Sequence, residues 1–283
     1  PNYNYSWSNG EITEDLTSIG AGTYTIIVTD NNGCVDTETI TVTEPNTYIS
    51  SYTQSNYNTY GVSCNGDTNA YIDISVQGGT SPYSFNWNNG DTTEDLNSIG
   101  AGTYILTSTD VNGCTTDQTV VITEPNLLTS NYTTTNWNGY QIQCNGGNNG
   151  TITMNVAGGV TSLPYTYQIN GTNNNSNIFS SLNQGNYTII ATDGNGCTTE
   201  QTVVMTEPAT IVDATYTQSD YNGVGVSCQG DTNGSINVSV QGGVPNYNYS
   251  WSNGEITEDL TSIGAGTYTI IVTDNNGCVD TET

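Results

Sequence analysis

Carboxylates and thiols are the reactive groups that stand out in this 283-residue chain. It contains 27 Asp and Glu residues and seven Cys residues, but no Lys, Arg or His. It therefore offers no imidazole base, no Schiff-base amine and no guanidinium to hold a phosphate. Binding to nucleic acid by counterion release needs cationic side chains, and anionic membrane surfaces repel a net charge of −27. We therefore expect no enzyme, no nucleic-acid partner, no direct membrane insertion and no cofactor, except that a polyanion attracts divalent cations.

The carboxylates recur at fixed places. One Asp precedes each N-G-C sequence, and one Glu stands in each T-E-P sequence. If units stack head to tail, the T-E-P end of one unit faces the N-G-C turn of the next, and calcium prefers such oxygen ligands. The alternative is that the Asp caps its own turn and the Glu is a solvated linker residue. The candidate calcium pairs are Glu44 with Asp110, Glu124 with Asp193, and Glu207 with Asp274.

Internal repetition places these residues. The phrase ending in N-G-C recurs at spacings of 80, 83 and 81 residues, and residues 1–39 are identical to residues 245–283. Such periods indicate a repeat array, here a 244-residue period of three units within a longer tandem array. We predict a truncated repeat at 1–45 (its C-terminal part), repeats at 46–125 and 126–208, and a repeat lacking its final residues at 209–283.

Each unit has the pattern of a β-sandwich. Ile72, Ile74 and Val76 alternate with polar residues, and Asn-Gly and Gly-Gly turns follow at short intervals. Short strands with frequent turns indicate a sandwich, so the predicted fold is all-β, an array of immunoglobulin-like repeats of about 80 residues forming an extended rod. One unit would add about 30–40 Å of length. The pattern Leu96…Tyr104, present in every unit, resembles a tyrosine corner.

The seven cysteines fall into two classes, one in each N-G-C turn and one before the first long strand of each complete unit. Pairing within a unit gives Cys64–Cys114, Cys144–Cys197 and Cys228–Cys278, and leaves Cys34 unpaired by truncation. About four sheet crossings separate the two classes, and an even number would return the chain to the same end of the sandwich. The alternatives are bridges across the linkers, Cys34–Cys64 and Cys114–Cys144, or free thiols. Regular pairs indicate an oxidising compartment.

The segment from Val62 to Cys114 resembles the SprB-type repeat of gliding and surface adhesins of Bacteroidota. The matching elements are C-N-G, G-G-x-x-P-Y, W-x-N-G, A-G-T-Y and T-D-x-N-G-C. The third unit departs most, with Gln168 where the other units have Trp. The resemblance implies a very long filamentous protein, exported by the type IX system and displayed on the cell surface, where it serves attachment and, in gliding species, gliding motility. Repeats of this family usually form the stalk.

Two further predictions concern ligands. Aromatic residues crowd the segments before the first cysteine of each unit and could stack on extracellular polysaccharide, or else pack at an edge or against the neighbouring repeat. A carbohydrate-binding array is therefore an alternative to the stalk, and a self-assembling extracellular fibre is another. Thr92, in D-T-T, resembles the O-glycosylation acceptor of this phylum. The sugar-stacking candidates are Tyr52, Tyr57, Tyr60, Trp137, Tyr140 and Tyr221.

Overall fold

The structure is a computed structural model that describes residues 2–283. Within these residues every regular element is a β-strand, which confirms the all-β prediction. No helix of the described residues is long and apolar enough to cross a membrane. The strands form small antiparallel sheets.

The first repeat segment, up to residue 45, contributes one sheet, in the order β1-β2-β3. The next repeat has two three-stranded sheets, β4-β5-β7 and β6-β8-β9. The bounds of these nine strands are β1 Asn4–Trp7, β2 Gly22–Thr29, β3 Val35–Val42, β4 Ile49–Gln54, β5 Ala70–Gln77, β6 Ser84–Trp87, β7 Leu96–Ile99, β8 Gly102–Thr109 and β9 Thr115–Ile122.

The last two repeats also have two antiparallel sheets each, and the third has one extra strand. The strands of the third are β10 Asn126–Thr134, β11 Gly150–Gly159, β12 Thr166–Ile169, β13 Thr172–Asn174, β14 Ile178–Leu182, β15 Gly185–Thr192 and β16 Thr198–Met205. They form sheets β10-β11-β14 and β13-β12-β15-β16. The strands of the fourth are β17 Asp213–Gln218, β18 Gly234–Gln241, β19 Asn248–Trp251, β20 Leu260–Ile263, β21 Ile270–Thr273 and β22 Val279–Glu282. They form sheets β17-β18-β20 and β19-β21-β22.

The extra strand β13 follows from a substitution. In the other repeats a Trp indole closes the loop after its strand by donating to a Thr carbonyl, as Trp87 Nε1 does to Thr93 O at 2.9 Å. Gln168 replaces this Trp and donates instead to the side chain of Asn173, at 2.9 Å. The chain then folds back as a hairpin, β12 against β13.

The direction of the short strands decides where the cysteines lie. Strand β6 pairs with the second half of β8, while β7 pairs with the first residues of β5, and both pairings are antiparallel. Since β5 and β8 both run from the Ala70 end towards the Gly78 end, β6 and β7 both run back. Together β6 and β7 therefore cover the length of the sandwich only once, one strand in each sheet. The body of a repeat, from β5 to β8, thus makes three net crossings from one end of the sandwich to the other, rather than four.

The tyrosine corner is confirmed. The hydroxyl of Tyr104 donates to Gly100 O at 3.1 Å, where the chain passes from β7 to β8, and Tyr24, Tyr187 and Tyr268 make the same bond to the carbonyl four residues earlier. This bond fixes the crossing between the sheets, as it does in immunoglobulin-like sandwiches. Together with the paired sheets it confirms the immunoglobulin-like class.

Each sandwich buries the alternate residues of its strands. In β5, Ile72 and Ile74 are buried while Asp73 and Ser75 are exposed, as their alternation predicts. The third repeat has its own core around Ile152, Met154 and Phe179, and the fourth has one around Trp251 and Leu260. Because these cores are thin, every buried aliphatic residue contributes substantially to the stability of its repeat.

The chain divides into two compact units. The first contains the residues through Asn56 together with Asp67–Thr123, and the second contains Tyr57–Gly66 together with Glu124–Thr283. The loop Tyr57–Gly66 joins β4 to β5, two strands of the first unit, yet it packs within the second.

Replacing Leu106 by Ala should destabilise the second repeat by about 2–5 kcal/mol, because this side chain is fully buried and its removal leaves a cavity. Replacing the adjacent Ile105, which is 44% exposed, should cost less than about 1 kcal/mol. Hydrogen exchange of the β8 and β9 amides in increasing urea measures both effects. Equal effects of the two substitutions would show that β8 is not packed in the register described.

Candidate functional site

Each N-G-C turn is organised by the carboxylate of its Asp. In the last repeat, Asp274 Oδ1 accepts hydrogen bonds from the N–H groups of Asn276 and Cys278, at 2.9 and 2.8 Å, and Oδ2 accepts one from Val244 N–H at 2.8 Å. Asp110 and Asp193 make the same three bonds in their repeats. The Asp residues therefore cap their own turns, and each turn presents its Asn and Cys in the same geometry.

These hydrogen bonds also affect the acidity of Asp110. Burial raises the pKa of this carboxyl, which is 4% exposed. The hydrogen bonds from the backbone N–H groups of Cys114, Thr80 and Asn112 together lower the pKa by more than burial raises it. The net pKa lies below the ordinary value of 3.8. The ionised form is thus the one that the folded turn requires.

The predicted disulfide pairs are wrong. The structure contains Cys64–Cys197 and Cys144–Cys278, so neither Cys64–Cys114 nor Cys144–Cys197 forms, and the predicted partner of Cys228 is bonded elsewhere. Neither linker bridge forms. Because the body of a repeat makes three net crossings, its two cysteines lie at opposite ends of the sandwich. Each bridge therefore joins the loop cysteine of one repeat to the N-G-C cysteine of the next.

Three cysteines have free thiols among the described residues: Cys34, Cys114 and Cys228, all exposed. The unpaired state of Cys34 agrees with its prediction, whereas Cys114 and Cys228 were expected to be paired.

Hydrogen bonds surround the second bridge. The loop between β10 and β11 lies against the N-G-C turn after β21, and Asn138 Nδ2 donates to Asn276 Oδ1 at 2.7 Å. Asn276 Nδ2 donates to Gln143 O at 2.9 Å, and Gln143 Nε2 returns a bond to Asn276 O at 2.7 Å. Asn276 and Cys278 are only 5% and 9% exposed. We call this arrangement of loop, N-G-C turn and disulfide the joint.

The first bridge has a matching joint. Asn58 Nδ2 donates to Asn195 Oδ1, as Asn138 does to Asn276. Asn195 Nδ2 donates to Tyr57 O at 3.2 Å and to Ser63 O at 2.9 Å. The two joints therefore use the same loop and turn positions, although their loops differ in sequence.

The T-E-P segments form hydrogen bonds with the C-N-G turn that contains each loop cysteine of a joint. Glu124 accepts a hydrogen bond from Gly66 N–H at 2.7 Å, and Glu207 accepts one from Gly146 N–H at 2.8 Å. The Asn before each of these glycines donates to the Pro carbonyl of T-E-P, at 3.1 Å for Asn65 and 2.9 Å for Asn145. These Glu residues therefore hold the C-N-G turn of their own repeat.

The carboxylates proposed as calcium ligands are thus largely occupied by backbone N–H groups, while Glu44 is exposed after β3. Within residues 2–283 no group of three or more potential metal-binding side chains comes together. An inter-repeat calcium site stays a prediction.

The aromatic sugar-stacking candidates divide into two sets. Two pairs form isolated antiparallel bridges within the joint loops, Tyr57 with Tyr60 and Trp137 with Tyr140, and Tyr221 occupies the same place in the last repeat. Tyr52 pairs across from Ile74 on the core-facing side of β4, with 39% of its surface exposed. Sugar stacking stays a prediction, as does O-glycosylation of Thr92, which is exposed in the loop after β6.

The Asn residues of the joint were not found from the sequence. Asn58 and Asn138 adopt positive φ, at 49° and 47°, and Asn222 does so at the matching position. Asn tolerates this conformation better than most residues. The recurrence of Tyr-Asn or Trp-Asn six residues before each loop Cys was a usable signal.

Fold and joint together define a tandem β-sandwich repeat protein whose successive repeats are covalently linked. The SprB repeat family matches three segments, residues 51–92, 140–174 and 224–256. The chain therefore carries SprB repeats, which confirms the resemblance. Each matched segment contains the loop Cys, the Gly-Gly turn and the strand that follows it.

No curated protein matches the chain. Among solved structures, a Ca²⁺-stabilised adhesin that helps an Antarctic bacterium reach out and bind ice is 14% identical, with a TM-score of 0.39, over 99% of this chain and 88% of that one. A tetra-tandem repeat from the extending region of a large adhesion protein is 14% identical, with a TM-score of 0.26, over 99% and 89%. The repeat assignment rests on the family match and on the sheets themselves.

Peptide mapping tests the joints. Because the chain lacks Lys and Arg, a protease that cleaves after Glu and Asp replaces trypsin. Digestion without reduction, after alkylation of free thiols, should give peptides joining Cys64 to Cys197 and Cys144 to Cys278, with Cys34, Cys114 and Cys228 alkylated. A peptide joining Cys64 to Cys114 would contradict the joint.

Acid should weaken the turn at Asp110. A carboxyl whose folded pKa lies below its unfolded pKa stabilises the fold above the unfolded pKa, and this contribution is lost as pH falls through the folded value. Asp110→Asn should therefore lower the melting temperature at pH 6, and the gap to wild type should narrow at pH 3. The exposed Asp73→Asn serves as the control, and a gap that is constant with pH would contradict the role of the charge.

Proposed function

We propose that this chain is a stalk segment of a very long, filamentous cell-surface adhesin, in which the repeats transmit force between a cell and a surface. The observation that carries the proposal is the joint, which recurs at two successive repeat boundaries with the same bridge and the same Asn–Asn contact. A stalk needs connections that hold under tension, and a covalent bridge provides one.

Composition supports a passive mechanical role. All 27 ionisable acidic and basic side chains carry negative charge, which keeps neighbouring filaments apart. The absence of Lys and Arg denies trypsin-like proteases a cleavage site. The absence of His and Lys also removes the common bases and amine nucleophiles of enzymes, so we assign no catalytic activity.

The finer parts of the proposal follow from the SprB repeats. We infer export to the cell surface by the type IX system, a source among the Bacteroidota, and participation in gliding where the cell glides. Disulfides persist in oxidising environments, which supports a location outside the cytosol. The partners are the neighbouring repeats and the surface to which the filament attaches.

A deletion in a cell that displays the chain tests the stalk. Removing residues 40–283 deletes one full period of 244 residues, and the remaining residues 1–39 are identical to the deleted residues 245–283, so the repeat register is kept. The filament, labelled on intact cells with antibody against its outer end, should shorten by three repeats. Attachment per labelled filament should not change.

The alternatives give different outcomes. If the repeats themselves bind polysaccharide, attachment should fall with the number of repeats, and the purified chain should bind a glycan array. Label that appears only after the cells are lysed would contradict a surface location.

A further inference from the structure

The two disulfides overlap in the sequence. Cys64–Cys197 spans 133 residues and Cys144–Cys278 spans 134. Cys144 lies inside the first span, and Cys197 lies inside the second. The bridges are therefore interleaved rather than consecutive, and they cannot act independently when the chain is stretched.

We propose that the interleaved disulfides form a redundant lock on extension, in which either bridge alone withholds most of the length that both bridges together withhold from stretching. The proposal concerns the covalent connectivity of the chain, so it stands or falls independently of the stalk function. It adds to that function a limit on how far the repeats can be drawn out.

The lock follows from the shortest covalent route between the chain ends. With both bridges intact, the route runs from residue 1 to Cys64, crosses to Cys197, returns backwards along the chain to Cys144, crosses to Cys278 and ends at residue 283. It contains about 120 residues, of which about 53 lie between Cys144 and Cys197. At about 3.6 Å per residue the fully unfolded chain extends to about 440 Å, compared with about 1,000 Å after reduction.

The shortest covalent route determines which strands bear tension after a repeat unfolds. In the third repeat, β11 to β15 lie on the route, but β10 and β16 do not. The T-E-P segments Thr123–Pro125 and Thr206–Pro208, and the strands before them, β9 and β16, are slack. The bridges thus relieve the chain between the second and third repeats, and between the third and fourth, of force, and the backbone of the third repeat is pulled in the reverse direction.

Redundancy appears when one bridge opens. With only Cys144–Cys278 left, the route lengthens by about 27 residues, or about 100 Å; with only Cys64–Cys197 left, it lengthens by about 28 residues. Opening the second bridge then releases about 133 residues, or about 480 Å. Bridges within single repeats would instead each release about 50 residues, and their effects would add.

Both bridges are held in place before unfolding. Their Cα atoms are 5.8 Å apart in each case, and each is accompanied by the Asn–Asn contact of its joint. At the second joint Cys278 is 9% exposed. Because both bridges form in the folded chain, the interleaved arrangement exists before any force is applied.

Single-molecule force spectroscopy tests the lock. The 283-residue chain, held at its two ends with Cys34, Cys114 and Cys228 replaced by Ser to prevent exchange, is unfolded at constant force and then exposed to a phosphine reductant. Two steps of unequal length should follow, the first of about 100 Å and the second of about 480 Å, in that order in every molecule. Equal steps, or a first step longer than the second, would overturn the proposal.

Single substitutions sharpen the test. In the same background, Cys64→Ser and Cys144→Ser should each abolish the short step and leave one step of about 480 Å. With the other cysteines intact, Cys114→Ser should leave both steps unchanged, whereas pairing within repeats would make it remove one step. The stretched length of a variant does not depend on whether it refolds, provided that its remaining bridge has formed. If neither Cys64→Ser nor Cys144→Ser gave any step, the bridges would not form and the proposal would be wrong.

Discussion

One Asp carboxylate in each repeat organises the turn on which the joint depends. At Asp110, Asp193 and Asp274 the two oxygens accept three backbone N–H groups, two from the turn of the Asp itself and one from the residue that follows the Gly-Gly turn. Gly243 is required there, because a Cβ at that position would lie 2.6 Å from the Asp274 carboxylate. The turn therefore holds Asn276 and Cys278 in a fixed position. The preceding repeat needs only a loop long enough to reach them.

The direction of the bridges follows from the strand count. A body with three net crossings places its loop cysteine and its N-G-C cysteine at opposite ends, so each can reach only an adjoining repeat. Successive repeats are thereby joined three times: by the chain itself, by the disulfide, and by the exchange of side-chain amide hydrogen bonds such as Asn138 with Asn276.

Much of the fold could be predicted from the sequence, because alternation in β5 and the Tyr104 corner are local patterns with one physical solution. The disulfide partners could not be predicted in the same way. The four strands between Cys64 and Cys114 were counted correctly, but their directions depend on which sheet β6 and β7 join, and four-residue strands carry too little pattern to show that. Asp110 was foreseen both as a turn cap and as a calcium ligand, since one carboxylate suits either role.

The uniform joint has a genetic consequence. Since every bridge runs from one repeat to the next, removing or duplicating a whole period leaves each internal cysteine with a partner of the correct class. Identical segments such as residues 1–39 and 245–283 are suitable sites for unequal recombination between copies of the gene. Related cells could thus inherit arrays of different length, all of them correctly cross-linked, and selection could adjust the reach of the filament without redesigning a single repeat.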